Sequence, residues 1–293
     1  MGEKEAMQRK YNKPSWNAIL PGVLVVLLGM VIMIESNIPL AIWAQNGLGL
    51  LLGICGIRLQ VFCFRKGAKK LFVWMLLGLI LLAAPFFFPG VKEVHRWISL
   101  GSVQIHIASL VLPALLILLA QFQKKTNGRG FIIVAFLAIA ILGLQPDAAQ
   151  LTGFAGAVCL LLFSKRDPRI WWTLGYSAIA VAIVWLWRDS LPEVLHVEGI
   201  VSMAYALGES WGIASIGLLV LLPLPFLFAG IARRNSMYLA LGLYFMLTLY
   251  SAGLGNFPFI LLGYGATPIV GYFWAISVLV NHYPDLIDSG GRK

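Results

Sequence analysis

Residues 18–34 read AILPGVLVVLLGMVIMI and carry no charged side chain. A helix needs about 20 mostly apolar residues to cross the hydrocarbon core of a bilayer. Nine further apolar runs follow along the chain, and several contain glycine or proline. The sequence therefore predicts an all-α integral membrane protein with about ten transmembrane helices, centred near Leu27, Leu51, Leu79, Leu115, Ala138, Ala157, Ala180, Leu219, Phe245 and Phe273.

The composition supports a membrane protein. Of 293 residues, 60% are hydrophobic and 12% are charged, whereas soluble domains contain about 25% charged residues. We expect a single polytopic membrane domain over residues 1–293. Its tails would be residues 1–17 and 282–293, and the segment 188–199 would form a loop with a candidate site. The three cysteines lie inside apolar runs, which argues against a disulfide framework.

The basic residues predict the orientation of the spans. Alternate loops and both termini hold 19 of the 22 lysine and arginine residues, while the other loops hold only Lys92, Arg96 and Arg188. Since lysine and arginine are enriched in cytoplasmic loops, both termini are predicted to be cytoplasmic. This distribution explains the net charge of +10 without nucleic acid, and no nucleic-acid-binding motif is present.

One predicted outer segment carries an unusual density of charge. Residues 187–212 read WRDSLPEVLHVEGIVSMAYALGESWG. The rest of the chain is nearly free of charge wherever it is hydrophobic, so this segment is a candidate functional site. Its charged or titratable residues are Arg188, Asp189, Glu193, His196, Glu198 and Glu209.

Further motifs lie in the other predicted outer loops. HRWISLG occupies 95–101, QPD 145–147, LPE 191–193, HVE 196–198, ESWG 209–212, and PF followed by GYGAT 258–267. In order and sidedness these resemble the RRWIxLG, QPD, LPE, HTD, EELG and PFxSYGGS motifs of the SEDS (FtsW/RodA/SpoVE) family, named for shape, elongation, division and sporulation. The resemblance covers nearly the whole chain.

The sequence also departs from the family pattern. The family's QPSExxK motif is replaced by residues 106–109 and Leu112, so its acid and its lysine are lost together. The glycine-rich outer loop before LPE is missing, and Glu198 stands where the family has a catalytic aspartate. The chain is a short and divergent example of the pattern.

The resemblance implies a bundle with a groove that faces the periplasm or exterior of the bacterial cytoplasmic (inner) membrane. It implies polymerisation of lipid II by an inverting peptidoglycan glycosyltransferase, for cell-wall synthesis in shape, elongation or division. Glu198 would deprotonate the 4-hydroxyl of the acceptor GlcNAc, which attacks C1 of the donor MurNAc and expels undecaprenyl pyrophosphate. Arg96 and Arg188 would stabilise the departing pyrophosphate.

The remaining candidate substrate-binding residues are Trp97, Asp147, His196 and Glu209. Asp147 is also expected to cap the following helix, and His196 has the alternative of hydrogen bonding within its loop. If one continuous helix ran from Glu198 to Glu209, the two carboxylates would share a face about 16 Å apart along the axis. No histidine shows metal-ligand spacing, and no cofactor is implied beyond a divalent cation, which stays open.

The implied partners are lipid II or another undecaprenyl-linked glycan, membrane lipids and a class B penicillin-binding protein. Two alternatives remain at this stage. The lost acid–lysine pair favours a non-catalytic SEDS-like partner of such a penicillin-binding protein. A lipid-linked glycan transporter (flippase) is the other, although motifs on one side only argue against it.

Overall fold

The structure is a computed structural model that describes residues 16–59, 68–92, 94–101, 103–126, 128–187, 191–255 and 257–281. Residues 1–15 of the predicted tail 1–17 and the whole predicted tail 282–293 lie outside these residues. So do residues 188–190, and with them the candidate site residue Arg188.

The described part of the chain is almost entirely helical, which confirms the all-α prediction. It contains twelve α-helices, of which the first follows a 3₁₀ turn at Trp16–Ile19 and the third runs into another at Ala84–Phe87. The helices are α1 Leu20–Glu35, α2 Leu40–Leu59, α3 Ala68–Ala83, α4 Ile107–Lys125, α5 Arg129–Leu144, α6 Ala148–Ser164, α7 Ile170–Leu186, α8 Ile200–Leu207, α9 Glu209–Leu221, α10 Leu224–Ala232, α11 Ser236–Leu254 and α12 Ala266–Val280.

The predicted span centres all fall within these helices. Within the described residues, six segments are long and apolar enough to cross a membrane: Trp16–Glu35, Leu40–Arg58, Lys69–Phe87, Ile107–Lys125, Glu209–Ala232 and Ser236–Leu254. The helices α5, α6, α7 and α12 are apolar but have only 15–17 residues. The count of ten spans and the cytoplasmic termini therefore stay predictions.

The core lies around α4, α6, α11 and α12. In an 18-residue apolar stretch of α4, 78% of the residues are buried, against 22% in the corresponding stretch of α2. Helix backbones approach closely at small residues, as is usual where van der Waals packing drives helix association in lipid. At Gly153 of α6, for example, an added Cβ would lie 2.9 Å from the carbonyl oxygen of Tyr244 in α11.

The irregular segments meet at one end of the bundle, which we call the hairpin end. The strands β1 Trp97–Leu100 and β2 Val103–His106 form an antiparallel hairpin in which Trp97 pairs with His106. The α5–α6 turn, the segment 191–199 and the segment 257–265 lie beside it. The hairpin leads directly into α4, so its position is set by the most buried helix of the bundle.

The helix that would have joined Glu198 to Glu209 is not continuous. Helix α8 begins at Ile200 and ends at Leu207, and α9 starts at Glu209. Gly208 between them has a φ of 152°, a backbone conformation that side chains with a Cβ rarely adopt. The condition for a shared helix face of the two carboxylates, one continuous helix, is therefore not met.

Candidate active site at the hairpin end

A cavity of about 210 Å³ opens at the hairpin end. We call it the Glu198 cavity. Three segments that are far apart in sequence form its wall, namely the hairpin, the loop 191–198 and the loop before α12. Its lining residues are Val91, Trp97, Gln104, His106, Leu191, Pro192, Val194, Val197, Glu198, Pro258, Tyr264, Gly265, Thr267 and Pro268.

Glu198 provides the carboxylate of this cavity. It is half-buried, and its Oε2 accepts a hydrogen bond of 2.9 Å from the amide of Val194. Burial raises the pKa of Glu198 above its usual value, and the like charge of Glu193 adds to this. The Val194 amide and the charge of Arg96 oppose the rise. A carboxylate with a raised pKa is a stronger base, as proton abstraction from a hydroxyl requires.

The loop that carries Glu198 is fixed by backbone contacts with the loop before α12. The amide of Tyr264 donates to the carbonyl oxygen of His196 at 2.8 Å. A Cβ at Gly263 would lie 2.4 Å from the carbonyl oxygen of Val197, so glycine is needed for this close approach. Glu198 is thus positioned by a segment more than 60 residues later in the chain.

Helix α2 in turn holds the loop before α12. Asn46 is fully buried. Its Nδ2 donates to the carbonyl oxygen of Gly263 at 3.0 Å, and its Oδ1 accepts from the amide of Gly265 at 2.9 Å. The neighbouring Gln45 accepts a hydrogen bond of 2.9 Å from the hydroxyl of Tyr264. Sequence reasoning missed both residues. The sequence feature that could have identified them is an adjacent pair of amide side chains near the start of a largely apolar helix.

Arg96 connects the hairpin to the α5–α6 turn. It is 5% exposed, and its Nε donates to the carbonyl oxygen of Gln145 at 3.1 Å while Nη2 donates to that of Pro146. Its guanidinium also lies 5.5 Å from the ring centre of Phe257 and 5.8 Å from that of Trp97. The guanidinium is therefore engaged inside the protein, and pyrophosphate binding by Arg96 stays a prediction.

Asp147 begins α6 and binds two partners through different oxygens. Its Oδ1 accepts a hydrogen bond of 3.2 Å from the amide of Gln150, which confirms the predicted helix cap. Its Oδ2 lies 2.9 Å from Nε2 of His106. Burial opposes ionisation of Asp147, but the hydrogen bond and charge of His106, the charge of Arg96 and the Gln150 amide hold its pKa below the usual value.

His106 is a site residue that sequence reasoning missed. Two-residue turns join many antiparallel hairpins. A sequence prediction with the two turn positions at 101 and 102 would have placed His106 opposite Trp97, the tryptophan of the RW motif. The structure shows this pairing, with the two ring centres 6.1 Å apart.

The other predicted site residues lie at different depths. Trp97 lines the Glu198 cavity. His196 is half-buried, its ring centre is 5.8 Å from that of Tyr264, and burial lowers its pKa. Glu209 is exposed at the start of α9 and does not line the cavity. Substrate binding by these residues stays a prediction.

The positions that lack the family's acid and lysine are neutral and buried. The hydroxyl of Ser109 donates to the carbonyl oxygen of His106 at 2.9 Å, and Leu112 packs in the core. No charge is left without a partner there. Within the described residues, no three His, Cys, Asp or Glu side chains lie together as potential metal ligands, and the divalent cation stays an untested prediction.

No family model matches the chain. A curated relative from Burkholderia thailandensis, named probable peptidoglycan glycosyltransferase FtsW, is 28% identical over 149 residues. That match covers 46% of this chain and spans about a third of the relative's length, 32%.

Solved structures share the fold over nearly the whole chain. Rod shape determining protein RodA from Thermus thermophilus has a TM-score of 0.68 at 17% identity, covering 94% of this chain and 98% of RodA. A chain from a structure described as a peptidoglycan synthase complex coordinating polymerization and crosslinking has a TM-score of 0.65 at 18% identity, covering 94% and 99%. The chain therefore shares the fold of RodA over nearly its whole length and matches part of the sequence of an FtsW.

Proposed function

We propose that the chain is a SEDS-type peptidoglycan glycosyltransferase that polymerises lipid II. The observation that carries the proposal is the half-buried carboxylate of Glu198 in a cavity at the hairpin end, at the position of the family's catalytic aspartate. The match to an FtsW and the fold shared with RodA support the same activity.

The chemistry follows from a base facing a cavity. Glu198 removes the proton of the 4-hydroxyl of the acceptor GlcNAc, and the oxygen attacks C1 of the donor MurNAc. The bond from C1 to undecaprenyl pyrophosphate breaks on the opposite side, so the configuration at C1 inverts. Because burial raises the pKa of Glu198, it is a better base than an exposed carboxylate.

The surroundings of Glu198 define how the substrate is held. Trp97 and Tyr264 offer aromatic walls for the sugar rings. Arg96 remains a candidate for stabilising the pyrophosphate through its charge, although its Nε and Nη2 donate to carbonyl oxygens of the α5–α6 turn. Arg188, which lies outside the described residues, remains the candidate for direct pyrophosphate contact, and His196 and Glu209 remain secondary candidates.

The proposed setting is the bacterial cytoplasmic membrane, with the hairpin end facing the periplasm or exterior. A class B penicillin-binding protein is the proposed partner, and the fold shared with a chain of a peptidoglycan synthase complex supports it. The neutral replacement of the acid–lysine pair by Ser109 and Leu112 favours one competing function, that of a non-catalytic partner of such a protein.

Polymerisation by the purified protein tests the proposal. The protein is incubated with lipid II in detergent, alone and with a candidate class B penicillin-binding protein, and the products are separated on a gel. Glycan strands are expected in at least one condition. Wild-type protein that makes none in either condition would refute the enzyme and favour the non-catalytic partner. Lipid II carried across vesicle membranes without polymer would instead favour a transporter.

A further inference from the structure

The Glu198 cavity contains a second side chain able to exchange a proton. Among the described residues that line it, Glu198 is the acid and His106 is the basic side chain. His106 also lines a smaller adjoining pocket together with Asp147. Its side chain is 12% exposed and that of Asp147 is 4% exposed. His106 is therefore part of the cavity wall, and Asp147 lies beside it in the adjoining pocket, with both side chains nearly shielded from bulk solvent.

The pair fixes which nitrogen of His106 carries the hydrogen. The hydrogen bonds from His106 and the Gln150 amide and the charge of Arg96 favour the ionised form of Asp147, whose oxygens only accept hydrogen bonds. Because Oδ2 faces Nε2 at 2.9 Å, Nε2 must be the donor. In a neutral imidazole, the other nitrogen, Nδ1, is then an acceptor. No described residue hydrogen-bonds to Nδ1, so it is available to a hydroxyl or a water molecule.

Other contacts keep the ring in place. The ring packs against Trp97 across the hairpin, and the amide of His106 donates to the hydroxyl of Thr267 at 3.3 Å. His106 faces Asp147 on one side, and Glu198 and Tyr264 line the same cavity as His106. The charge of Arg96 acts on Asp147. The arrangement of carboxylate, oriented imidazole and open nitrogen is that of a general base.

We propose that His106 is a second proton acceptor of this active site and that Asp147 is its positioning residue. The proposal rests on the proposed function. The O–H bond of the acceptor hydroxyl breaks and its electron pair forms the bond to C1. The C1–O bond breaks and its pair leaves with the pyrophosphate. The proton passes to Glu198 and then, through cavity water, to Nδ1 of His106, which returns Glu198 to its ionised form.

The cavity is large enough for this transfer. Its volume of about 210 Å³ is several times the roughly 30 Å³ that one molecule occupies in liquid water, so it accommodates several water molecules when no sugar is bound.

The substitution Asp147→Asn tests the proposal because the two oxygens of Asp147 have different partners. Asparagine is an equally good helix cap, so its oxygen is expected to keep the Gln150 amide. Its NH₂ group then faces Nε2 of His106 and donates to it, which moves the ring hydrogen to Nδ1. His106 can then no longer accept a proton from the cavity, although shape and helix cap are kept.

The readouts are the rate of lipid II polymerisation against pH, and the histidine tautomer from ¹⁵N chemical shifts. The spectrum of His106→Gln assigns the His106 signal. We expect the Nε2–H tautomer in wild type and the Nδ1–H tautomer in Asp147→Asn. In both variants we expect kcat to fall about 10²-fold with little change in KM. Asp167→Asn, which alters an aspartate paired with Arg169 outside the cavity, should keep wild-type kcat.

Three results would overturn the proposal: an Nδ1–H tautomer in wild type, Asp147→Asn within twofold of wild-type kcat, or His106→Gln with an unchanged pH profile. If Asp147→Asn fails to fold, His106→Gln decides alone, because glutamine can still donate to Asp147. Wild-type protein that makes no polymer refutes the proposed function and this proposal together. Polymer that depends on Glu198 but on neither His106 nor Asp147 refutes only this proposal.

Discussion

Replacing Asn46 by leucine should release the loop that carries one wall of the cavity. The branched side chain has a similar shape, but both hydrogen bonds to the loop disappear. The carbonyl oxygen of Gly263 then stays buried without a partner, at about 1–3 kcal/mol, and the amide of the half-buried Gly265 at the cavity wall also loses its partner. Hydrogen bonds within membrane proteins average nearer 0.6 kcal/mol. Between these limits we expect Asn46→Leu to lower the free energy of unfolding by about 2–4 kcal/mol.

The matched control is Gln45→Leu on the same helix. It removes the hydrogen bond accepted from the hydroxyl of Tyr264, in a half-buried position, and an exposed one donated to the carbonyl oxygen of Ala41 in the same helix. Together these should cost about 1 kcal/mol. Both free energies are measured by reversible unfolding in mixed detergent and SDS micelles, followed by tryptophan fluorescence. If Asn46→Leu costs no more than Gln45→Leu, then Asn46 does not hold the loop, and the reasoning fails.

Three further predictions concern the same end of the bundle. Burial and the charge of Glu193 raise the pKa of Glu198, so the rate of polymerisation should decline on acidification at a higher pH than it would with an ordinary carboxylate. In a pH–rate profile, Glu193→Gln should move that decline to lower pH. Gly29→Ala places a Cβ 2.0 Å from the carbonyl oxygen of Leu262 and should destabilise the protein in the same unfolding assay. Its control, Gly56→Ala, has no atom within 4 Å of the new Cβ and should be neutral or stabilise the protein by up to about 1 kcal/mol. Arg96→Lys keeps the charge but cannot bind both carbonyl oxygens of the α5–α6 turn, so it should lower the free energy of unfolding by about 2 kcal/mol. An unchanged free energy of unfolding would show that the guanidinium geometry is unimportant.

The sequence was sufficient for the helical class, and the ten predicted span centres all lie within helices. Hydrophobic run length determines these, because a helix in lipid must satisfy its own backbone hydrogen bonds. The same signal was insufficient at Gly208, where an apolar run continues through a backbone break. A run of apolar residues does not report φ angles, so the sequence could not show whether Glu198 and Glu209 share one helix.

For the candidate site residues, the sequence predicted local contacts but not contacts between distant segments. Asp147 was predicted as a helix cap because a cap depends on local sequence. Its second partner, His106, lies 41 residues away, and Asn46 lies 217 residues from the carbonyl that it binds. Contacts of this kind depend on how helices pack, and a single sequence contains no direct record of that. Arg96 shows the same limit, since its charge was evident but its carbonyl partners were not.

The comparison of Glu198→Gln with Glu193→Gln in lipid II polymerisation tests the central claim most directly. Both substitutions remove one carboxylate from the same loop, but only Glu198 lines the cavity, while Glu193 is exposed. We predict that Glu198→Gln lowers kcat by about 10²-fold or more and that Glu193→Gln keeps wild-type kcat near neutral pH. Equal rates for wild type and Glu198→Gln would contradict the assignment of Glu198 as the base and with it the account of this cavity as an active site.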